Sequence, residues 1–475
     1  MVPERLKPLV DEVAPLAERF TGAGFRLYLV GGSVRDAILG RPVDRLDLDF
    51  TTDARPDDIE RLLRGWADAV WVQGKRFGTI GAKKAGRRGP DAADGRTYEI
   101  TTHRADAYSP DSRKPDVAFS DAVEADLSRR DFTVNAMALS LPDLRLVDPH
   151  GGTADLAARR LRTPLAPAES FADDPLRMLR AARFIAGYDL EPEPGLVEAV
   201  KEMGHRLAIV SAERIRDELD KLLVVERPGA GLWFLVSTGL AEEFLPELPA
   251  LALEQDPIHH HKDVLAHTVA VVEKTRPDKV LRLAALLHDI GKPRTRAFGP
   301  EGVTFHHHEV VGARMAEHRM RELRYPVEEI EAVRRLVELH LRFHGYSEGE
   351  GGWTDSAVRR YARDAGPLLD RLNELTRCDC TTRNQARARE LARRMDRLED
   401  RIAKLREQEE LDSIRPDLDG NQVMAHLGVA PGPVVGKALA HLLELRLEEG
   451  PLGEELAYKR LDEWWAAGRW RGADV

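Results

Sequence analysis

The sequence predicts an α+β protein, with a small mixed β-sheet near the amino terminus and helices from there to the end of the chain. Short apolar runs bounded by turn residues, at positions 27–30 and 46–51, are typical of strands. From position 154 onward, apolar residues recur instead at the three- and four-residue spacing of helices. Because 475 residues exceed the size of a single core, we expect three or four structural units.

The composition is typical of a soluble protein of the reducing cytoplasm. Hydrophobic residues make up 43% and charged residues 32%. We find no apolar run long enough to cross a bilayer, and no signal-peptide core near the start. Only two cysteines, Cys378 and Cys380, are present, which excludes a disulfide framework. The net charge of -10 argues against a loose electrostatic coat on nucleic acid, but it is compatible with RNA bound along one basic face.

The first predicted strand ends at a glycine pair that suits phosphate binding. Gly31 and Gly32 permit a tight turn with exposed backbone amides, and we expect Ser33 to cap a helix through Ile38. The amino end of that helix, with Arg35 close by, would present hydrogen-bond donors to phosphate oxygens. A glycine pair alone is more often only a turn, so this interpretation depends on the residues that follow.

The second predicted strand carries two carboxylates on one face. In the motif DLD, Asp47 and Asp49 point to one side and Leu48 to the other, because successive side chains of a strand alternate. Such a pair can hold Mg²⁺ ions against nucleotide phosphates, as in two-metal nucleotidyl transfer, although a solvated strand face is the simpler alternative. Glu99, on a strand predicted at 97–101, either supplies a third carboxylate or faces solvent.

A basic cluster precedes the next apolar segment. Residues 134–141 predict a helix, with Arg129, Arg130 and Asp131 at its start. Guanidinium groups at this position can contact a triphosphate or orient the sheet carboxylates, although a surface charge cluster is the alternative. Before it, residues 83–96 are rich in glycine and charge and predict a mobile loop.

The segment FADDPLRMLRAARF predicts a helix that begins near Asp174. Arg177, Arg180 and Arg183 recur every three residues and line one flank, which is either a binding surface or a solvated edge. Cytosine and adenine both present an amine donor beside a ring nitrogen that accepts, whereas uracil and guanine present the reverse. Asp174 can accept from the amine while Arg177 donates to the ring nitrogen, so the pair would select C and A.

Together these motifs resemble the class II tRNA nucleotidyltransferases, which build the CCA end of tRNA. GGSVRD, DLD, RRDFTVNA, DPHGG, DDPLRMLRAARF and SAERIRDELDKLL occur in the order and spacing of that family, over roughly residues 25 to 225. One mild departure is Asp173, where the family usually has Glu. The resemblance implies metal ligands at Asp47 and Asp49, and nucleotide contacts at Gly32, Arg35, Arg130, Asp174, Arg177, Arg180 and Arg183.

Bacterial poly(A) polymerases share most of these motifs and are the alternative family. After the second strand they tend to carry an arginine-rich segment with a different continuation, whereas this chain has GKRFGTIGA, which is more similar to the CCA-adding side. The loop at 83–96 also favours an enzyme that adds A as well as C, since the CC-only members of the family shorten that loop.

The second half of the chain contains the elements of a metal site. The segment LRLAALLHDIGK places His288 and Asp289 together at the end of an apolar helix. Imidazole and carboxylate ligands from several helices can hold a transition metal that activates water, although a lone histidine is more often a core residue. The segment resembles the HD phosphohydrolase superfamily. That resemblance implies the ligands His267, His288, Asp289 and Asp379, with His308 and His340 as candidates for a second metal.

The sequence as a whole predicts a nucleotidyltransferase head at 1–152, a helical neck at 153–250, an HD domain at 256–385 and a helical tail at 386–475. We expect a cytoplasmic, Mg²⁺-dependent enzyme that adds C, C and A to tRNA 3′ ends from CTP and ATP, with Asp47, Asp49 and Glu99 in its catalytic site. The alternatives are a poly(A) polymerase, an HD phosphohydrolase acting on RNA ends, and nucleotide transfer to a small molecule. The HD domain could also serve only in packing or tRNA docking. The oligomeric state and the HD metal stay open.

Overall fold

The computed structural model divides the chain into two compact units. It describes residues 7–41, 47–84, 95–104, 107–109, 112–116, 118–253, 263–299, 302–347, 352–380, 385–409 and 415–468. The first unit comprises residues 1–249 with 322–324, and the second comprises 250–321 with 325–475. Clusters of buried apolar side chains lie within each unit, around Tyr28 in the first and around Val423 in the second.

A mixed sheet forms the centre of the amino-terminal region. The first nine strands are β1 Leu27–Val30, β2 Asp47–Thr52, β3 Ala69–Trp71, β4 Thr79–Lys84, β5 Arg96–Thr102, β6 Ala107–Ser109, β7 Ser112–Asp116, β8 Ala138–Leu141 and β9 Leu146–Val147. Seven of them pair in the order β3-β4-β5-β2-β1-β8-β9, and β6 pairs with β7 separately. Strands β2 and β5 are parallel, whereas the other neighbours in the large sheet are antiparallel. The predicted α+β class with a mixed sheet is confirmed.

Five helices accompany this sheet in the described part of the head: α1 Lys7–Gly22, α2 Gly32–Leu39, α3 Pro56–Leu63, α4 Val123–Ser128 and α5 Gly152–Ala157. Helix α1 precedes the first strand of the sheet. Its apolar residues Val13, Leu16 and Phe20 are fully buried. Their spacing of three and four residues places them on one side of the helix, and that side packs into the core.

The helix predicted at 134–141 is wrong. A short 3-10 helix at Thr133–Asn135 is followed by β8, which pairs antiparallel with β1 from Leu27 opposite Leu141 to Val30 opposite Ala138. All four residues of β1 are buried, so the strand needs a hydrogen-bonded neighbour on each side. Pairing with a distant strand therefore overrides the local helical preference of an alanine- and leucine-rich segment.

The neck that follows is largely helical, as predicted. Its helices are α6 Pro167–Asp173, α7 Leu176–Tyr188, α8 Pro194–Met203, α9 Ala212–Leu223 and α10 Gly229–Ser237. Helix α7 packs against α9 and α10. One short parallel pair, β10 Arg160–Leu161 with β11 Glu191–Pro192, interrupts the helical pattern that the sequence predicts. It forms because α7 ends at Asp189 in a left-handed conformation, which turns the chain back toward Arg159.

The described part of the second unit is helical apart from one hairpin. Its described elements are α11 Val264–Lys274, α12 Lys279–Leu287, α13 Lys292–Thr295, β12 Arg296–Gly299, β13 Gly302–Phe305, α14 His308–Glu322, α15 Val327–Leu339, α16 Asp355–Ala365, α17 Leu369–Asp379, α18 Gln385–Glu409, α19 Gly420–Leu427, α20 Pro433–Glu449 and α21 Glu454–Ala466. The charged helix α18 buries Met395, Leu398 and Ile402, which are spaced three and four residues apart and therefore lie on one side of it. Within the described residues, every helix is too short or too polar to traverse a lipid bilayer.

Candidate active sites

Two of the predicted head carboxylates, Asp49 and Glu99, lie on one face of the sheet. In the parallel pair of β2 and β5, Asp49 is opposite Glu99, and both side chains are exposed. Their strand neighbours Leu48 and Tyr98 point into the core. The backbone of Asp47 lies in β2 two residues before Asp49, whereas its side chain is outside the described part. The register of the two strands therefore places Asp49 and Glu99 on the same face of the sheet.

The glycine turn comes close to this acidic face. Gly31 has φ of 73°, in the left-handed region that glycine tolerates, and a Cβ atom added there would lie 3.6 Å from Asp49 Oδ2 and 3.5 Å from Arg130 Nη1. Helix α2 starts at Gly32, directly after the turn, so the predicted cap by Ser33 is wrong. Gly31 takes the cap position because only its positive φ makes the turn from β1 into the helix. A turn, a carboxylate and a guanidinium therefore converge beside the amino end of α2.

A buried aspartate orients the two arginines that precede the 3-10 helix. Asp126 on α4 accepts from Arg129 Nη2 at 2.7 Å and from Arg130 Nη2 at 3.2 Å. Burial alone would raise the pKa of Asp126, but the two guanidinium groups overcome that effect and lower the pKa to about 2. Asp126 is therefore ionised at neutral pH, and it directs Arg130 toward the turn at Gly31.

Arg35 lies in the interior rather than on an open surface. Its guanidinium donates to Asp36 at 2.9 Å, to Asn135 Oδ1 at 2.5 Å and to the Tyr188 hydroxyl. It also lies 4.0 Å from the centre of the Tyr188 ring. These contacts connect α2 with the 3-10 helix and with the end of α7. The role of Arg35 as a nucleotide contact stays a prediction, and in this structure its nitrogens face protein acceptors.

The arginines of α7 are not a solvated edge. Arg177 is buried and donates to Ser170 Oγ at 2.8 Å and to the Arg129 carbonyl at 2.5 Å. Arg180 pairs with Asp131, and Arg183 donates to Glu218 at 2.7 Å. Each of the three arginines therefore bonds to an acceptor from another part of the head or neck, and they join α7 to α6, α9 and the Arg129–Asp131 segment.

Asp131, next to the predicted nucleotide contact Arg130, has a structural role that the sequence did not indicate. It is buried, and it accepts from Arg180 and from Asn135 Nδ2 at 3.0 Å. Although burial would raise its pKa, the Arg180 guanidinium and these hydrogen bonds hold the pKa well below its ordinary value. The only signal was its place beside Arg129 and Arg130. Its main partner lies 49 residues further on and is invisible in the local pattern.

The predicted base-reading pair has other partners in this structure. Asp174 lies between α6 and α7, where its Oδ1 accepts from the Leu176 amide at 3.2 Å and its Oδ2 accepts from Arg214 at 2.9 Å. The backbone amide of Arg177 bonds to the Asp174 carbonyl at 3.0 Å, but the two side chains bond elsewhere. Arg214, on α9, was not predicted as a site residue.

In the second unit the structure brings all six predicted metal ligands together. They come from the middle of α11, the residues after α12 and α15, the start of α14 and the end of α17. Two groups have ligand atoms within 4.8 Å of one another: His267, His288 and Asp379 form the first, and Asp289, His308 and His340 form the second.

The carboxylate of Asp289 connects the two groups. Its Oδ2 lies 3.2 Å from His288 Nε2 and 3.6 Å from His267 Nε2, whereas its Oδ1 lies 3.3 Å from His308 Nε2. In addition, Asp379 Oδ1 lies 2.9 Å from His267 Nε2. A carboxylate with one oxygen toward each group has the geometry to bridge two cations.

Backbone carbonyls orient the buried imidazoles toward this centre. Nδ1 of His288 bonds to the Ala285 carbonyl at 2.8 Å, and Nδ1 of His340 bonds to the Val337 carbonyl at 2.6 Å. With Nδ1 bonded to the backbone, Nε2 is the atom of each ring that can bind a metal. Such a hydrogen bond at the other ring nitrogen is the usual outer support of metal-binding histidines. In the described part of the chain, His340 Nε2 is buried without a hydrogen-bond partner. An unsatisfied buried nitrogen on a ring grouped with Asp289 and His308 fits a metal ligand.

The electrostatics of the cluster favour a cation. Burial lowers the pKa of His288, but the carboxylates of Asp289 and Asp379 outweigh it and raise that pKa to about 10. Burial, with His288 nearby, lowers the pKa of His340 to about 3, so that ring is a neutral ligand at physiological pH. Lys292 Nζ lies 2.7 Å from Asp289 Oδ2. The mixed nitrogen and oxygen donors suit a transition metal.

Three protein-family profiles match the chain. They are the poly A polymerase head domain at 27–162, the probable RNA and SrmB-binding site of polymerase A at 189–251, and the HD domain at 258–407. The A-adding tRNA nucleotidyltransferase of Deinococcus radiodurans is 37% identical over 339 residues, which are 68% of this chain and 75% of that relative. The CCA-adding enzyme of Streptococcus suis is 39% identical over 239 residues, which are 50% of this chain and 55% of that relative.

Solved structures share the fold. The Bacillus stearothermophilus CCA-adding enzyme in complex with CTP superimposes with a TM-score of 0.67 at 21% identity, over 98% of this chain and 100% of that one. The Thermotoga maritima CCA-adding enzyme complexed with tRNA gives a TM-score of 0.58 at 18% identity, over 98% of each chain. At such identities the likeness establishes the fold alone.

Proposed function

The chain belongs to the tRNA nucleotidyltransferase family, and we propose that it adds C, C and A to the 3′ end of tRNA from CTP and ATP in the cytoplasm. One observation carries this proposal. The turn at Gly31, the carboxylate of Asp49 and the guanidinium of Arg130 converge at the amino end of α2, with Glu99 beside Asp49 on the same sheet face. This is the combination that nucleotidyl transfer needs, with acids for metal ions and donors for phosphate oxygens.

The donor set at this face fits Mg²⁺, because it consists of carboxylate oxygens beside a glycine whose missing side chain leaves space. Asp47 and Asp49 would hold the metal, with Glu99 in support. When bound, Mg²⁺ would lower the pKa of the RNA 3′ hydroxyl and neutralise charge on the departing pyrophosphate. Arg130, held by the ionised Asp126, would donate to the triphosphate that the amides of α2 receive.

Base selection rests on Asp174 and Arg177 in our proposal. A bound base would take the place of Arg214 on Asp174 and would receive a hydrogen bond from Arg177 at its ring nitrogen. Arg180 and Arg183, fixed by Asp131 and Glu218, would hold α7 in register with the head while nucleotides exchange. A wrong base leaves buried polar groups unpaired, which is the strongest basis for rejecting it.

Three transcribed tRNAs test the proposal: one ends before the CCA, one after C and one after CC. Each is incubated with a single labelled nucleotide. We expect addition of C to the first two and of A to the third, with little use of UTP or GTP. Long A tails would instead indicate a poly(A) polymerase. If none of the three tRNAs were extended, the proposal would be refuted. Asp49→Asn should lower the rate about a thousandfold or more while tRNA binding in a gel-shift assay is retained.

A second candidate is an enzyme that adds only the final A. It is favoured by the Deinococcus relative, which is an A-adding tRNA nucleotidyltransferase and aligns over more of this chain than the CCA-adding enzyme of Streptococcus suis does. The same three tRNAs separate the two candidates. An A-only enzyme would extend the tRNA that ends in CC and would leave the other two unchanged even with CTP present.

For the second unit we propose a metal-dependent phosphohydrolase that acts on phosphate esters at RNA ends. The observation that favours it is the bridging position of Asp289 between two groups of ligands. His267, His288 and Asp379 would hold one transition-metal ion, and His308 and His340 would contribute to a second. A metal bound there would supply an activated water.

This proposal is tested by loading the protein with Mn²⁺, Co²⁺ or Ni²⁺. Phosphate release is then measured from RNA oligonucleotides that end in a phosphate. His288→Ala should abolish phosphate release and leave CCA addition intact. Asp49→Asn should abolish CCA addition and leave phosphate release intact. His318 is an exposed histidine, so His318→Ala is the matched control for the loss of a histidine. Metal binding without any phosphate release would leave the cluster a structural site and refute the hydrolase proposal.

A further inference from the structure

The hairpin of β12 and β13 leads directly to the metal cluster. Arg296 pairs with Phe305 and Phe298 pairs with Val303, and directly opposed residues of an antiparallel pair share a face. The side chains of Arg296, Phe298, Val303 and Phe305 therefore form one surface, which we name the hairpin face. Two residues along a strand cover about 7 Å, so the face is long enough to receive a planar ring beyond the cluster.

Phe298 is 71% exposed, above every other large apolar side chain in the described part of the chain. The guanidinium carbon of Arg296 lies 4.9 Å from the centre of its ring. Single exposed apolar residues are common, so exposure alone does not define a binding site. The combination of an open aromatic surface with a neighbouring cation is, however, what proteins use to bind bases and backbone of nucleic acid.

A second observation connects the hairpin face with the ligands. The Phe305 carbonyl accepts from Nδ1 of His308 at 2.8 Å, so the end of the hairpin orients a ligand of the second group. Lys292 Nζ lies 5.7 Å from the centre of the Phe305 ring and 2.7 Å from Asp289 Oδ2. A continuous path of side chains therefore runs from the exposed Phe298 through Arg296 and Lys292 to the bridging carboxylate of Asp289.

We propose that the hairpin face is the base-binding subsite of the phosphohydrolase centre, and that Phe298 stacks on the nucleobase next to the phosphate at the cluster. The proposal rests on the phosphohydrolase function proposed above. Lys292 and Arg296 provide charge for the phosphate and the backbone, whereas the phenyl ring meets the flat face that every base has. The ligand is thus a nucleoside phosphate, either free or at the end of an RNA strand, and the subsite is indifferent to base identity.

The full-length protein loaded with Mn²⁺ provides the kinetic test. Phosphate release from adenosine 3′-phosphate is compared with release from the corresponding methyl riboside 3-phosphate, which has the same ester and no base. In Phe298→Leu, the ratio of kcat/KM for the two substrates should fall about fivefold or more, since stacking on an aromatic ring contributes about 1–3 kcal/mol per base. Phe298→Tyr retains the aromatic face and should preserve the ratio. Val327→Ala, at another highly exposed apolar residue, is the matched control.

A binding measurement separates this inference from the hydrolase proposal. The fluorescence of 2-aminopurine riboside 3′-phosphate is quenched when its base stacks, so quenching reports the subsite even if neither ester is cleaved. Quenching that is lost in Phe298→Leu and kept in Phe298→Tyr supports the inference. Equal quenching in wild-type and Phe298→Leu protein overturns it, whatever the hydrolysis assay shows. The same probe at the 3′ end of an oligoribonucleotide distinguishes a free nucleotide from an RNA end as the tighter ligand.

Discussion

The ion pair of Arg180 and Asp131 is the contact whose loss should most disturb the arrangement of head and neck. Asp131 is 8% exposed and Arg180 31% exposed, so substitution of Arg180 by Met leaves a buried carboxylate without its cation. Breaking a buried pair in this way costs about 3–5 kcal/mol. We expect a value near 3 kcal/mol, because the amides of Phe132 and Asn135 still donate to Asp131 at 2.8 and 3.0 Å.

Hydrogen exchange of α7 backbone amides in the full-length protein measures this loss locally. A cost of about 3 kcal/mol corresponds to exchange that is about a hundredfold faster, with α20 in the second unit as an internal reference. Arg159→Met is the matched control, since the pair of Arg159 with Asp189 is 71% and 83% exposed and should contribute at most about 1 kcal/mol. An effect of Arg180→Met no larger than that of this control would refute the reasoning.

A double substitution and a pH series examine the cause. Adding Asp131→Asn to Arg180→Met removes the unpaired charge and should restore at least half of the lost protection. Because the folded state lowers the pKa of Asp131, its stabilising contribution is complete above the ordinary value of 3.8 and is lost as the pH falls toward the lowered pKa. Protection in the Asp131→Asn protein should therefore depend less on pH below 4 than protection in the wild type.

Three further outcomes are expected. Gly31→Ala places a side chain at φ of 73°, at a cost of about 1–2 kcal/mol. The turn should then move away from Asp49, and kcat/KM for CTP should fall about tenfold. Unchanged kinetics would show that the turn does not position the site. Tyr188→Phe removes one acceptor from Arg35 and should cost about 1 kcal/mol in α7 exchange, with unchanged protection as the contrary result. His340→Ala should reduce the Mn²⁺ content from two ions to one by elemental analysis, whereas loss of both ions would argue against separate metal sites.

Local periodicity carried a large part of the site prediction. The alternation of β2 is enough to place Asp47 and Asp49 on one face, and the register of the sheet then adds Glu99. The histidine and aspartate motif in LLHDIGK likewise pointed to a cluster, because a buried histidine at the end of an apolar helix needs a partner. The roles of these residues in catalysis and metal binding stay predictions.

Other features depended on contacts between distant segments. The apolar run at 138–141 is a strand because β1 needs a neighbour, although its composition predicts a helix. The hairpin face was not predicted, since its two strands have only four residues each and its exposed phenylalanine follows no pattern. The partners of Arg35, Arg177 and Arg180 also lie on other elements, and a spacing of three residues predicts a shared flank but not what that flank contacts.

The sequence by itself determined which side chains can carry chemistry, because strand and helix periods assign each residue to a face. It therefore defined a strand with paired acids, a helix with three arginines and a set of histidines. The tertiary structure alone decided what those faces meet: Arg130 approaches the turn at Gly31, Asp131 pairs with Arg180, and Asp289 spans two groups of ligands. The reason is physical, since the charge state and direction of a buried group depend on neighbours tens of residues away, whereas its face depends only on the residues beside it.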